Sequence, residues 1–163
     1  MARIPRTSET PATTFLRRHE VDFSLHPYVY VERGGAQAGA EALGLPLHAV
    51  VKTLVMQDER AAPLLVLMHG DRNVSTRALA RQAGARQIEP CRPEVAQRMS
   101  GYLVGGTSPF ATRRTMPVYL ERSILGLARI YVNGGRRGLL VGIEPEVCVR
   151  LLGAVAVDCA LEP

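Results

Sequence analysis

The residue best suited to chemistry in this chain is Lys52, which lies in the apolar run 48–56. The chain has 20 lysine and arginine residues, and Lys52 is the only lysine among them. Lysine carries a compact charge whose pKa moves on burial, whereas the planar guanidinium of arginine stays charged. Lys52 is therefore the first residue to suspect of a chemical role. Two alternatives stay open: chance survival in an arginine-rich composition, and protection of a strand edge from aggregation.

Two glycine-rich segments are further candidates for substrate binding. The first consists of Gly105, Gly106, Thr107, Ser108 and Pro109. Glycine lets the backbone approach a ligand closely, so its N–H groups can bind an oxyanion or phosphate, and the hydroxyl groups add hydrogen bonds. The second segment, 133–138, brings two arginines that suit phosphates. Both segments are also compatible with ordinary turns, since Asn-Gly is a leading hairpin signal.

Other residue types exclude several kinds of site. The four histidines are His19, His26, His48 and His69. They show no HxxxH or HExxH spacing, so we predict no metal site, and no Ser/His/Asp set can be assembled. The three cysteines lack CxxC spacing, which favours a reducing compartment, the cytoplasm, over a disulfide scaffold. No cofactor is expected.

The overall charge and hydropathy favour a polyanionic partner rather than a membrane. The net charge of +5 suits RNA, although basic proteins are common. No apolar run approaches the length of a membrane span, and the first eleven residues lack the apolar segment of a signal peptide.

The strand that carries Lys52 is predicted to be central. Alternation over 49–56 places Lys52 on one face with Val50, and Thr53 on the other face with Val51 and Val55. Both faces are apolar, which is typical of a strand covered on both sides. A polar turn at 57–63 joins it to a second strand at 64–69, so we predict a hairpin.

Helices and strands alternate along the rest of the chain. Helices are predicted to begin at Thr10-Pro11 and at Ser75, and to span 36–43, 93–99 and 145–152. Extended segments are predicted at 23–30, 88, 118–120, 129–133, 139–143 and 154–159. This order indicates an α/β (α+β) fold, with a mixed, largely antiparallel sheet and helices packed around it.

Four motifs in order give the chain a resemblance to a known family. They are Val51-Lys52-Thr53-Leu54, the segment 96–98, the segment 101–109 and the segment 130–139. Together they resemble the YbaK/EbsC-like aminoacyl-tRNA deacylases, relatives of the editing domain inserted in bacterial prolyl-tRNA synthetases. The resemblance runs from about Thr10 to the C-terminus. We therefore expect residues 10–163 to form one editing domain, preceded by a flexible tail at 1–9.

The resemblance implies a fold, an activity and a site. The fold would be a barrel-like sheet of six or seven strands surrounded by helices. The activity would be hydrolysis of the ester in mischarged tRNA, acting in trans, with Lys52 as the key active-site residue. The implied substrate-binding residues are Tyr28, Thr53, Gly105, Gly106, Thr107, Ser108, Pro109, Asn133 and Gly134. The implied partners are the aminoacylated 3′ end of tRNA and prolyl-tRNA synthetase, without DNA or a membrane.

Two positions depart from the cysteinyl-tRNA(Pro) deacylases that look most similar. Asn133 stands where those proteins have serine, and Leu140 where they have aspartate. The expected substrate is therefore Cys-tRNA(Pro) or a tRNA carrying another small amino acid. A non-catalytic module that binds the aminoacyl-tRNA end is the alternative. A Schiff-base enzyme using a desolvated Lys52 is a third reading.

Overall fold

The computed structural model describes residues 9–162. Five α-helices lie in this range: α1 (Pro11–Arg18), α2 (Gly35–Leu43), α3 (Thr76–Ala83), α4 (Pro93–Ser100) and α5 (Glu146–Leu152). The predicted tail at 1–9 lies outside the described residues except for Glu9, whose carboxylate accepts a hydrogen bond from Arg17 at 2.8 Å. None of the described helices is long and apolar enough to cross a bilayer.

Eight strands in the described residues form two sheets. They are β1 (Ser24–Pro27), β2 (Val51–Asp58), β3 (Pro63–His69), β4 (Ile88–Pro90), β5 (Val118–Glu121), β6 (Ile130–Asn133), β7 (Leu139–Ile143) and β8 (Val155–Val157). One sheet has the order β1-β7-β6 and the other the order β4-β2-β3-β5-β8. The pairs β3·β5 and β5·β8 are parallel, and the remaining pairs are antiparallel. The predicted mixed, largely antiparallel arrangement is confirmed.

The two sheets meet at one parallel bridge, between Val50 and Tyr131. Their inner faces share the main hydrophobic core, which α1 and α5 cover through Leu16 and Val147. A second core lies on the opposite face of β2 and β3 under α3, and a third lies under α2. The sheets do not close into a barrel, and the described residues form eight strands where six or seven were expected; β4 and β8, with three residues each, are the shortest.

Local sequence signals explain most of the boundaries. Thr10 caps α1 by accepting a hydrogen bond from the Thr13 N–H at 3.0 Å, and Ser75 caps α3 through the Ala78 N–H at 3.2 Å. Gly84 ends α3 in the left-handed conformation. These helix starts and the β2–β3 hairpin agree with the sequence prediction.

Two extended segments are shorter than predicted. β1 ends at Pro27, although the Tyr28 N–H still donates to the Gly138 carbonyl at 2.8 Å. β8 ends at Val157 because the N–H groups of Cys159 and Ala160 turn to the buried Glu121 carboxylate, at 2.9 and 3.1 Å. The Glu121 carboxylate thus accepts the hydrogen bonds that a neighbouring strand would otherwise accept.

Candidate active site

A cavity of about 880 Å³ opens beside the N-terminal half of β2. Its walls come from six parts of the chain: β2 itself, the segment before α2, the turn before α3, the β4–α4 junction, the loop at 104–107 and the segment 133–140. These parts are far apart in sequence, so the fold assembles the cavity.

The cavity exists because β2 lacks a strand partner over part of one edge. On that side β4 pairs with β2 only over Met56–Asp58, and the Cys91 N–H donates to the Val55 carbonyl at 3.1 Å. At the other end, Val50 forms the bridge to β6. In the described structure no strand pairs with residues 52–54 on this edge. Lys52 and Thr53 both line the opening.

Lys52 is half-buried and its ammonium group is anchored to the main chain. Its Nζ donates a hydrogen bond to the Arg72 carbonyl oxygen at 2.6 Å. Burial lowers the pKa of Lys52 from its ordinary value, and the nearby Asp71 carboxylate opposes this shift. An ammonium group has three N–H donors. One donor is used by Arg72, so two can bind oxygen atoms of a ligand.

The turn that supplies the Arg72 carbonyl is fixed by a pair of histidines. His48 donates through Nδ1 to Asp71 Oδ1 at 2.8 Å, and its ring stacks on His69 with centroids 3.7 Å apart. The hydrogen bond from His48 lowers the pKa of Asp71, against the opposing effect of burial. His69 donates through Nδ1 to the His48 carbonyl at 2.7 Å. The contacts hold the turn in place behind Lys52.

His48, His69 and Asp71 are also the described residues best placed to hold a metal, with candidate ligand atoms within 4.8 Å of one another. The two rings lie within 8° of parallel, so lone pairs in the ring planes do not converge on one ion. Both ring nitrogens of His69 have partners, since Nε2 lies 2.7 Å from Ser123 Oγ. The cluster suits a structural role better than metal binding.

Gly105 and the turn at 133–138 are tied together. The Asn133 amide donates through Nδ2 to the Gly105 carbonyl at 3.1 Å and accepts from the Gly135 N–H at 2.8 Å. Gly105 has a φ of +89°, and a Cβ there would lie 2.6 Å from the Tyr30 hydroxyl oxygen. Glycine is therefore required at this position by both conformation and space.

The structure brings some of the predicted site residues to the cavity and not others. Those that line it are Tyr28, Lys52, Thr53, Gly105, Thr107 and Asn133. Gly106, Ser108, Pro109 and Gly134 are buried behind the two loops. The Gly106 N–H donates to the Leu103 carbonyl at 2.8 Å, so it is already used within the loop. Ser108 Oγ accepts from the Phe110 N–H at 3.1 Å.

Thr53 and Tyr28 contribute polar groups to the cavity beside an apolar wall. The Thr53 hydroxyl oxygen is buried and has no hydrogen-bond partner within residues 9–162. Tyr28, Val50 and Leu140 pack together with α2 to form an apolar wall. Burial raises the pKa of the Tyr28 hydroxyl, so this group stays protonated and can donate a hydrogen bond.

Sequence reasoning missed three contributors to the site. The Arg72 carbonyl gives no side-chain signal, and Cys91 reaches the cavity through its position after β4. Tyr30 also lines the cavity and stacks with Arg137, one of the two arginines predicted to suit phosphates, whose guanidinium carbon lies 5.1 Å from the ring centroid. Tyr30 shares the two-residue spacing of Tyr28, which is the one signal that could have indicated it.

Comparison with known proteins identifies the family. The sequence model of the aminoacyl-tRNA editing domain matches residues 32–151. The chain therefore belongs to the aminoacyl-tRNA editing domain family, which confirms the resemblance seen in its four motifs.

Similar proteins agree with this assignment. An Enterococcus faecalis protein named "Putative Cys-tRNA(Pro)/Cys-tRNA(Cys) deacylase EbsC" is 26% identical over 152 residues, covering 93% of each chain. A proline–tRNA ligase of Geobacter metallireducens is 26% identical over 97 residues, which is 60% of this chain and 16% of the ligase. The structure titled "Crystal structure of a putative trans-editing enzyme for prolyl tRNA synthetase" has a TM-score of 0.81 at 22% identity, covering 96% of this chain and 100% of that chain. That likeness supports the fold.

Proposed function

We propose that this protein is an aminoacyl-tRNA deacylase that acts in trans, with Lys52 positioning the ester of mischarged tRNA in the cavity. The observation that carries the proposal is the Lys52 ammonium group, held by the Arg72 carbonyl at 2.6 Å in a cavity of an editing-domain fold. An aminoacyl ester is already activated, so the protein need not supply a strong nucleophile. It has to orient the ester and stabilise the charge that develops during hydrolysis.

The groups around Lys52 are suited to orienting the ester and stabilising the developing charge. The two remaining N–H groups of Lys52 would bind the carbonyl or terminal phosphate oxygen of the substrate. Thr53 lies next to Lys52 and contributes to the cavity wall. Gly105 and Thr107 line the cavity with backbone that can approach the ester, while Asn133 fixes the Gly105 carbonyl from behind. Water, or the substrate's own side chain, would then attack the ester carbon.

The apolar wall indicates the substrate class. Tyr28, Val50 and Leu140 leave a carbon-lined surface where a small uncharged amino acid would fit. Cysteine on tRNA(Pro) is one such substrate. We propose further that residues 10–163 act as one domain in the cytoplasm and that prolyl-tRNA synthetase is a partner. The proline–tRNA ligases that match part of this chain support that proposal.

The test is hydrolysis of a panel of aminoacyl-tRNAs by the wild type, Lys52→Ala and Lys52→Arg. We expect the wild type to hydrolyse at least one tRNA that carries a small amino acid. Both variants should lose activity, because alanine removes the charge and the arginine fork places its donors elsewhere. Circular dichroism and thermal unfolding of each variant would separate a lost contact from a lost fold.

Three other outcomes would overturn parts of the proposal. Hydrolysis at wild-type rates in both variants would remove the role given to Lys52. Tight binding of aminoacyl-tRNA without turnover would favour the alternative, a non-catalytic binding module. Borohydride trapping of a carbonyl compound on Lys52 would instead indicate Schiff-base chemistry.

A further inference from the structure

Asp71 does not line the cavity but lies on the turn that carries the anchor of Lys52. β3 ends at His69, one residue after Met68, which is the strand partner of Lys52. The chain then turns, and the Arg72 N–H donates to the His69 carbonyl at 3.1 Å. One short turn beside Lys52 therefore presents both the Asp71 carboxylate and the Arg72 carbonyl.

The Asp71 carboxylate is bound by His48 and not by Lys52. His48 Nδ1 lies 2.8 Å from Oδ1 and 3.1 Å from Oδ2 of Asp71, whereas Lys52 donates to the Arg72 carbonyl. The His48 ring is fixed in turn, since it stacks on the fully buried His69. The carboxylate thus has a defined place near the ammonium group without occupying the free N–H donors of that group.

The negative charge of Asp71 has an effect that the Arg72 carbonyl lacks. A carbonyl oxygen accepts a hydrogen bond from a neutral amine as well as from an ammonium group, whereas a nearby carboxylate favours the charged form. Burial lowers the pKa of Lys52, and within residues 9–162 Asp71 is the charged group that raises it. Asp71 therefore opposes the loss of the proton that burial promotes.

The other ionisable groups around Lys52 do not replace Asp71. Six of them line the cavity with it: Tyr28, Tyr30, Glu32, Arg33, Cys91 and Arg137. The turn side adds Arg72 and the two stacked histidines. The arginines are cations, which cannot favour a charged lysine. Glu32 is the single acid in the cavity wall, and no hydrogen bond or ion pair within residues 9–162 fixes its side chain, whereas His48 fixes that of Asp71.

We propose that Asp71 is a positioning residue for hydrolysis: its charge keeps Lys52 in the ammonium form, while its hydrogen bonds to His48 leave the free donors of Lys52 open to the substrate. This inference rests on the proposed function, in which the charged Lys52 binds an oxygen atom of the substrate. Asp71 itself lies outside the cavity wall and touches no substrate. A neutral amine would stabilise the developing negative charge far less than the ammonium group does.

The test uses the fact that Lys52 is the only lysine of the chain. Protein grown with lysine that carries carbon-13 at Cε gives one lysine side-chain signal in an NMR spectrum, and its shift against pH gives the midpoint of the Lys52 titration. The variants are Asp71→Asn, which keeps an acceptor for His48 but has no charge, and Asp71→Glu, which keeps the charge. Asp22→Asn is the matched control, because Asp22 is exposed and does not line the cavity.

We expect the Lys52 midpoint to move to lower pH in Asp71→Asn, to stay closer to the wild-type value in Asp71→Glu and to be unchanged in Asp22→Asn. Added salt should shrink the displacement, because the Asp71 side chain is partly exposed and salt screens its charge. In single-turnover hydrolysis of aminoacyl-tRNA, the alkaline decline in rate should move with the midpoint. Each pH unit of displacement would lower the rate on the alkaline side roughly tenfold and leave the acidic side nearly unchanged.

A midpoint in Asp71→Asn equal to that of the wild type would overturn the inference. An equal displacement in Asp22→Asn would also overturn it, since it would indicate a general effect of net charge. A rate that falls by the same factor at every pH would assign Asp71 a purely structural role instead. The NMR titration needs no tRNA, so the two proposals can fail separately. A displaced midpoint in a protein that hydrolyses no aminoacyl-tRNA would support the link between Asp71 and Lys52 and overturn the proposed function.

Discussion

Replacing Lys52 with methionine should separate the contribution of the ammonium group to activity from its contribution to stability. Methionine has a similar length and no charge, so the variant removes the hydrogen bond to the Arg72 carbonyl. It also removes a charged group whose pKa is lowered by burial, which means that the fold already disfavours the charge. The variant should therefore lose activity without a matching loss of stability.

The magnitudes follow from these contacts. A hydrogen bond to a charged group contributes about 1.5–3 kcal/mol, and relief of the ammonium desolvation opposes its loss. Because the lost hydrogen bond and the relieved desolvation act in opposite directions, the free energy of unfolding should change by less than about 1.5 kcal/mol. Activity should fall roughly 100- to 1,000-fold, the usual effect of deleting one group that stabilises a developing oxyanion.

The pH dependence gives a second measurement. The folded protein releases the Lys52 proton at a lower pH than the unfolded chain, because the pKa is lowered only in the fold. Between the two pKa values the unfolded state binds more protons, so wild-type stability should rise with pH in that window. Lys52→Met should lack this rise. Activity, which needs the charged form, should decline as pH rises through the lowered pKa in the wild type.

The assays are single-turnover hydrolysis of the best aminoacyl-tRNA and urea unfolding at several pH values. Spontaneous ester hydrolysis is subtracted at each pH. Activity of Lys52→Met within threefold of the wild type would refute the positioning role. A loss of several kcal/mol in stability would refute the view that the ammonium group is retained for function and not for folding.

Three further predictions concern the framework of the site. Burial would raise the pKa of Glu121, but hydrogen bonds from Ser123 and two backbone N–H groups outweigh it and lower the pKa. The free energy of unfolding should therefore fall as pH drops below about 4.5. Glu121→Gln should flatten this fall, which urea unfolding between pH 3 and 7 would measure. Gly106→Ala would place Cβ 2.8 Å from the Arg137 backbone nitrogen, so it should lower the free energy of unfolding by about 1–3 kcal/mol. Gly126→Ala is the control, because its Cβ would have no atom within 4 Å, and it should be nearly neutral in the same assay. Leu140→Ala truncates a residue that is only 5% exposed, so it should lower the free energy of unfolding by about 2–5 kcal/mol, measured by thermal unfolding. A change under 1 kcal/mol would contradict the place of Leu140 in the apolar wall.

The sequence predicted local structure well because the signals for it are local. Thr10 and Ser75 cap the helices that they were expected to cap, and the β2–β3 hairpin follows from two alternating runs with a polar turn. The alternation of β2 is also confirmed, since Val51 and Val55 belong to one core and Met56 to the other.

The parts that the sequence did not predict depend on contacts between distant segments. Lys52 is held by a main-chain carbonyl 20 residues away, and a carbonyl has the same chemistry at every residue. Asn133 reaches Gly105 across 28 residues. No single-sequence pattern indicates that Gly106 and Ser108 would be buried behind Gly105, because only the folded loop decides which side faces the cavity.

The bridge at Val50 and the short strand β4 leave the edge of β2 between them without a strand partner. The unpaired edge is three residues long, which corresponds to about 10 Å of strand. A substrate in the cavity would thus occupy the place of a missing strand. An insertion that lengthened β4 towards Lys52 would complete the sheet and abolish binding at the same time. The length of β4, which carries none of the proposed site residues, would then matter to binding as much as the residues that line the cavity.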